Sequence, residues 1–359
     1  MRPESLEFLK AIVNVPSPSG YEEHAAKIYR EFAKLYADAV TTDIHGNTAA
    51  VLNPNAETRI MLSGHMDEIG FIVKYISDEG LVYFSRIGGH DCTIAVGQHV
   101  WVHGKKRVPG VIGRKPIHLM EPDDRTKVPA FSDLWIDVGA ASKAEVLEQI
   151  ALGDVVTYMS EFQKLMGDRA AARGFDNKVG TFIVGEALRL LKQDGGLHPE
   201  VGLYATATVQ EEVGLRGATT AAYNINAKTG IAVDVSFSTD YPSVPKEKHG
   251  EAHIGKGPLV TRGANINPIV FQMLMAAGEE EGIPYQVEIE GGMTGTDAET
   301  MQISRSGMAT GLLGVPLRYM HTPCELLSLT DVENCAKLMA AYCRRVTPET
   351  DFTPRIFGE

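Results

Sequence analysis

Hydrophobic positions change their period twice along this chain. Near the N-terminus Leu6, Phe8, Leu9, Ile12 and Val13 fall on one face of a short helix. The following "SPSGYEEHAAKIYREF" places a second amphipathic run behind Ser19, the predicted N-cap. Residues from about 4 to 36 therefore read as helical, broken by "VPSPSG". "NTAAVLN" and "RIMLSGHMDEIGFIV" read as strands, and "RIML" is short and apolar as an inner strand should be.

From about residue 69 to 165 the texture becomes that of short β pieces divided by glycine and proline: "GLVYFSRIGG", "GQHVWVHG", "RVPGVIG", "LWIDVGA" and "GDVVTYMS". Only "SKAEVLEQI" interrupts them with a helical turn or two. Beyond about 166 the α/β alternation resumes. "FDNKVGTFIVGEALRLLKQD" is a helix, "EVGLYATATVQEE" and "TGIAVDVS" are strands, and "PIVFQMLMAAGEEEGI" is a helix. "YQVEIE" and "ATGLLGVP" are strands, and "LTDVENCAKLMAAYCRRV" closes the chain as a helix capped by Thr330 or Asp331. The pattern predicts an α/β domain, residues 1–68 and 166–359, interrupted by a small β-barrel or sandwich insert, residues 69–165.

Composition adds limits. The 359 residues suffice for two domains, and 44% hydrophobic with 22% charged residues is ordinary for a soluble globular protein. A net charge of −12 argues against nucleic acid or an anionic membrane as the main partner. There is no bilayer-spanning apolar run and no signal-peptide h-region, so a cytoplasmic location is expected. Cys92, Cys324, Cys335 and Cys343 lack CxxC spacing and read as reduced structural thiols. "GGMTG" does not follow a strand and open a helix, so it is not a dinucleotide fingerprint.

The polar residues at strand ends carry the chemistry. His65 and Asp67 in "SGHMDEIG" are two apart after an apolar strand and share a side. A carboxylate so placed fixes the tautomer of a metal-bound imidazole, although a solvated turn accounts for the pair equally well. Asp176 opens an amphipathic helix, where an N-cap is the commoner role. Asp234 in "IAVDVS" sits in an apolar strand and is costly there unless paired. Glu211 and Glu212 end another buried strand, and either lie solvated in a turn or face something positive. His321 in "RYMHTPCE" alone would be structural.

Taken together, His65, Asp176, Glu212, Asp234 and His321 fall mostly at the C-terminal ends of predicted strands, where open α/β sheets build sites. Two imidazoles and three carboxylates suit zinc, cobalt or manganese. With one bridging carboxylate they supply two metals with three ligands each.

The order HMD, FDN, QEEVGLRGA, VDV, RYMHTP resembles that of the dinuclear metallo-aminopeptidases of the glutamyl and tetrahedral aminopeptidase family, some of whose members carry the name endoglucanase M. The resemblance runs over nearly the whole chain. It implies a mixed-sheet metallopeptidase domain with helices on both faces and a PDZ-like β-barrel insert that drives oligomerisation. It further implies that His65, Asp176 and Asp234 bind one metal, and Asp176, Glu212 and His321 the other. Asp67 would orient His65, and Glu211 would be the general base. The Asp176–Asn177 peptide would be cis. Asn177 stands where many relatives carry a second aspartate, a departure that leaves the bridging position intact.

The implied substrates are peptides with a free N-terminus, and the implied assembly is a hollow dodecamer built from dimers. The competing readings are a related dinuclear amidohydrolase (a carboxypeptidase or N-acyl amino acid deacylase), a glycosidase, and a non-enzymatic scaffold. Arg262, Arg318, Thr296 and Asp297 lie in segments that could line a specificity pocket, where an arginine would favour acidic substrates, although either arginine fits a structural ion pair equally well.

Overall fold

A computed structural model describes residues 1–354. Its centre is a mixed eight-stranded sheet in the order Ala39–Thr42, Thr48–Leu52, Val201–Thr208, Thr58–His65, Thr229–Phe237, Ala309–Leu317, Leu259–Gly263, Gln286–Glu290. The four strands from Val201–Thr208 to Ala309–Leu317 are mutually parallel, while Thr48–Leu52 and Leu259–Gly263 flank them antiparallel. The parallel strands read as near-continuous apolar runs because helices cover both faces, as parallel sheets require.

Helix Phe175–Asp194 is buried almost all round, which explains its weak polar face. It lies very close to strand Thr58–His65. A Cβ on Gly64 would stand 2.4 Å from the Gly180 carbonyl carbon, so only glycine permits this approach. Pro3–Asn14, Glu23–Ala33, Pro268–Glu281 and Leu329–Arg345 share that core. On the opposite face, Arg216–Ile225 and Asp297–Gln302 pack through Ala218, Ala222 and Met301.

Two caps differ from expectation. Ser19 does not cap a helix; its hydroxyl donates to Asp67 Oδ2 at 2.7 Å, and Glu22 occupies the N-cap position of Glu23–Ala33 without a side-chain cap. The last helix is capped by Ser328, whose Oγ accepts the Asp331 N–H, while the Asp331 carboxylate receives the Gly255 and Gly257 N–H groups. In both cases the small-residue and acidic signals are genuine but serve a distant loop.

The run "RIMLSGHMDEIGFIV" divides. After His65 the chain leaves the main sheet, and Gly70–Ile76 starts a closed six-stranded antiparallel barrel. The barrel order is Gly70–Ile76, Val82–Ile87, Trp135–Asp137, Arg107–Gly113, His99–His103, Val155–Tyr158. Inward Phe71, Val100, Val102, Ile112, Ile136 and Val156 fill it, alternating with outward residues as a small barrel demands. Three 3₁₀ turns between Ile117 and Asp133 were not expected from the sequence.

A third, small sheet joins Gln163–Lys164, Arg169–Ala172 and Glu325–Ser328. It carries the chain from the barrel into helix Phe175–Asp194 and pairs Ala172 with Glu325.

Candidate metal centre

Strands Thr58–His65, Thr229–Phe237 and Ala309–Leu317 run parallel, so their C-terminal ends share one edge of the sheet. His65 ends the first, Asp234 lies in the second, and His321 follows the third. Glu211 and Glu212 lie just past Val201–Thr208, at the same edge. Asp176 arrives from the buried helix; it and Asn177 have non-helical φ/ψ, and their shared peptide bond is cis. Asp176 is therefore not an N-cap; Gly174 holds that place.

The five expected ligand residues converge in two overlapping groups. Donor atoms of His65, Asp176 and Asp234 lie within 4.8 Å of one another, as do those of Asp176, Glu212 and His321, and each group could hold a metal ion. Asp176 belongs to both, through different oxygens. Its Oδ1 is 3.5 Å from His65 Nε2 and its Oδ2 is 3.2 Å from His321 Nε2. Asp234 Oδ1 stands 3.8 Å from His65 Nε2, and Glu212 Oε1 stands 3.5 Å from His321 Nε2. Glu211 Oε2 is 3.7 Å from His65 Nε2.

Asp67 is fully buried behind this group. Its carbonyl is 3.1 Å and its Oδ1 3.3 Å from His65 Nδ1, which leaves Nε2 facing the carboxylates. The same carboxylate accepts the backbone N–H groups of Glu211 at 3.1 Å and Glu212 at 3.2 Å. Gln210 has φ +55, and this left-handed residue turns the chain so that neighbouring glutamates both reach the site.

Electrostatics fit the donor set to divalent cations. Burial pushes Glu211 up to about 10, helped by the charges of Asp234, Asp297 and Glu212 and opposed by His65. Burial also drives Asp234 well above the usual carboxylate range, with Asp176 adding to it. Burial disfavours the His321 imidazolium, but Asp176 and Glu212 overcome this and raise it to about 11. Burial likewise opposes ionisation of Asp176, yet His321 and His65 hold it below its ordinary value. Glu212 Oε1 is buried with no hydrogen-bond partner. So many buried carboxylates, with an orphaned oxygen among them and only two imidazoles to balance them, are the environment a hard or borderline cation would complete.

Sequence reasoning missed several participants. Glu325, four residues after His321, accepts the Asp176 N–H through Oε2 and the His321 N–H through Oε1, each at 3.0 Å. Gly88 and Gly89 come from the barrel; a Cβ on Gly89 would stand 3.1 Å from His321 Nδ1. Glu68 receives Arg173 and Lys178, forming a buried ion cluster beneath the turn.

A cavity of about 520 Å³ opens over the cluster. Thr296 lines it. Asp297 is buried beside it, accepting hydroxyl protons from Ser63 and Thr208 at 2.6 Å. The two arginines do not line it. Arg318 is committed to Asp240, and Arg262 lies over the Phe271 ring and donates to the Gly263 carbonyl.

A mixed α/β sheet with a barrel inserted after the first histidine here carries, at its strand ends, a His, Asp and Glu cluster of the kind that could hold metal ions. The model of the M42 glutamyl aminopeptidase family matches residues 46–338, and the chain belongs to that family. It is 36% identical over 353 residues to a lysyl aminopeptidase of Pyrococcus furiosus, covering 97% of this chain and 99% of that one. The TET aminopeptidase of a marine-sediment Thaumarchaeota archaeon superposes with a TM-score of 0.91 at 34% identity, covering 97% and 98%. The Pyrococcus horikoshii TET1 peptidase, which assembles into a tetrahedron or a large octahedral shell, superposes with a TM-score of 0.84 at 32% identity, covering 95% and 100%. The chain is thus a peptide hydrolase of the aminopeptidase type.

Proposed function

We propose that this protein removes N-terminal residues from peptides at a two-metal site. His65, Asp176 and Asp234 would hold one ion and Asp176, Glu212 and His321 the other. The carrying observation is that the two oxygens of Asp176 face different histidines, as a bridging carboxylate must. Two divalent ions, zinc or cobalt with manganese also suited to the donors, would lower the pKa of a water and polarise the scissile carbonyl.

The protein's own groups do the rest. Asp67 holds His65 in the tautomer that leaves Nε2 free. The positive charge of bound cations would ionise Glu211 despite its burial, and Glu211, within the cluster but outside both donor groups, would then take a proton from the attacking water and deliver it to the amine nitrogen as the C–N bond breaks. Glu325 fixes the backbones of Asp176 and His321. Gly89, which follows a barrel strand, lines the cavity beside His321, and Gly88 lies against Glu212.

The barrel, within the insert of residues 69–165, is the proposed oligomerisation domain, and residues 1–68 with 166–359 the proposed catalytic domain. The assembly proposed is a homo-oligomer built from dimers, a tetrahedral dodecamer, in the cytoplasm. The assembly of the TET1 relative supports it. Light scattering should find a particle far heavier than a 39.0 kDa monomer.

The activity is tested with apo-protein refilled with zinc, cobalt or manganese. A free-amine aminoacyl anilide should be cleaved and its N-acetylated counterpart should not. Cleavage of the blocked compound alone would identify a deacylase instead.

A further inference from the structure

Consecutive backbone N–H groups from Val209 to Glu212 lead the chain into the metal centre, and a buried side chain from elsewhere accepts each of them. Strand Val201–Thr208 has ended by then, and its pairing with Thr48–Leu52 stops at Ala207. The Val209 N–H is taken by Asn47 Oδ1 at 3.1 Å, and those of Glu211 and Glu212 by the Asp67 carboxylate. Between them, the Gln210 N–H donates to Glu22 Oε1 at 3.1 Å.

Glu22 comes from a distant part of the chain and is buried. It stands at the N-cap position of Glu23–Ala33, yet its side chain does not cap that helix. Its Oε1 also accepts the Gly20 N–H at 2.8 Å. Burial, and after it the charge of Asp67, push it up to about 7. Two buried carboxylates turned on one short segment are costly, and what they provide is fixed backbone geometry there. Gln210 is the residue that requires it. Its φ of +55 lies in the left-handed region, which a residue of this kind keeps only when its surroundings hold it. Glu22 fixes the near end of the Gln210 backbone and Asp67 the far end, so the pair defines the rotation between them. That rotation aims Glu211, whose Oε2 stands 3.7 Å from His65 Nε2.

We propose that Glu22 is a positioning residue for hydrolysis, holding through the Gln210 N–H the left-handed turn that sets the Glu211 carboxylate among the metal ligands; the inference rests on the reading of Glu211 as general base. Glu22 belongs to neither donor group and does not line the cavity, so it acts only through the turn. Without its bond Gln210 relaxes toward an ordinary φ, and the Glu211 carboxylate swings away from the water it must deprotonate.

The test measures kcat, KM and metal content of Glu22→Ala and Glu22→Gln, each alone and combined with Glu211→Gln, on one free-amine aminoacyl anilide. In Glu22→Ala kcat should fall by about 10²-fold, the cost of a misplaced catalytic group, with KM nearly unchanged and both metals retained. Glu22→Gln keeps an oxygen that accepts both N–H groups, and should stay within about fivefold of wild type, since its bonds are those of a neutral amide. In the Glu211→Gln background the alanine substitution should cost no more than about twofold, because the group it misplaces is already disabled. If Glu22→Ala does not fold, Glu22→Asp replaces it with the same expectations, its charge kept but its reach one methylene shorter. A wild-type kcat in the alanine or aspartate variant overturns the proposal and leaves the base assignment standing. So does an equal loss in the Glu211→Gln background, and so does a loss that excess metal reverses, since Glu22 would then support Glu212 and its ion. A Glu211→Gln protein with wild-type kcat overturns the base assignment itself, and the proposal with it.

Discussion

The Asp67 carboxylate receives the backbone N–H of Glu211 at 3.1 Å. That bond fastens the two glutamates to the strand end that carries His65. Oδ2 of the same carboxylate takes the Glu212 N–H and the Ser19 hydroxyl, while Oδ1 faces His65 Nδ1. Asp67→Asn would put an amide NH₂ against donors or against the imidazole. We expect kcat to fall by about 10–100-fold and metal affinity to fall by a similar factor, as for other partners of metal-bound histidines. Metal titration followed by anilide kinetics checks both. An Asp67→Asn protein with native affinity and turnover would remove Asp67 from the site's support.

Glu211 and Glu212 should separate by mutation. Glu211→Gln keeps shape but removes the base, so it should retain both metals while kcat drops by about 10²–10⁴-fold. Glu212→Gln should weaken one metal, and excess metal should partly restore its turnover. Metal content and kcat measured on the same preparations decide. If Glu211→Gln sheds a metal, or Glu212→Gln binds both tightly and is inactive, the two roles are exchanged.

The difference between these glutamates was legible only in part. Two carboxylates ending a buried strand left a solvated turn and a cationic partner both open, and His65, Asp176, Asp234 and His321, each weak alone, became legible only as a set at strand ends and through the order of motifs shared with the aminopeptidase family. The insert was legible from glycine-divided β pieces as a small barrel or sandwich, and the resemblance alone pointed to the barrel. Contacts fixed by register between distant segments were not. Glu325 reaches Asp176 only because Ala172 pairs with it in a sheet that brings together residues more than a hundred positions apart. Ser19 looked like an N-cap because local sequence shows a hydroxyl before a helix, not that Asp67 will claim it. Arg262 and Arg318 drew attention as charges near strand ends, yet the fold turns them toward Phe271 and Asp240. Glu288 carried no local signal of the hydrogen bonds it receives from Ser236 and Thr261 on other strands.

Glu68 ties three segments together beneath the site. It receives Lys178 Nζ at 2.9 Å and the Arg173 guanidinium, and it accepts the Ser17 N–H at 3.0 Å. Lys178 and Arg173 also donate to the carbonyls of Val15 and Asn14. Burial pushes Lys178 down to about 8 despite Glu68. Glu68→Gln would strand two buried cations and should cost about 3–5 kcal/mol. Urea or thermal unfolding against wild type measures it. A loss below about 1 kcal/mol would mean that water reaches the cluster and that it does not pin the barrel's entry.

The last prediction concerns acid. His90 lies in the inserted segment, stacked on Phe71 with ring centroids 4.4 Å apart. Its Nε2 donates to the carbonyls of Gly70 at 2.8 Å and Ile87 at 3.1 Å, so the neutral ring carries its proton there. Nδ1 is buried with no partner, and a second proton would have nowhere to bond. Burial depresses the His90 pKa to about 4, against about 6.5 in an unfolded chain. Between those values the unfolded state binds more protons than the folded one, so stability rises with pH. The contribution is therefore complete above about pH 6.5 and is lost progressively as the pH falls toward 4. His90→Gln can still donate an amide N–H to the Gly70 carbonyl but does not titrate. It should flatten the fall of stability between pH 6.5 and 4 by the uptake of up to about one proton. Denaturant unfolding at closely spaced pH values, on wild type and variant alike, gives the two slopes. Identical slopes would mean that His90 protonates in the folded barrel without cost.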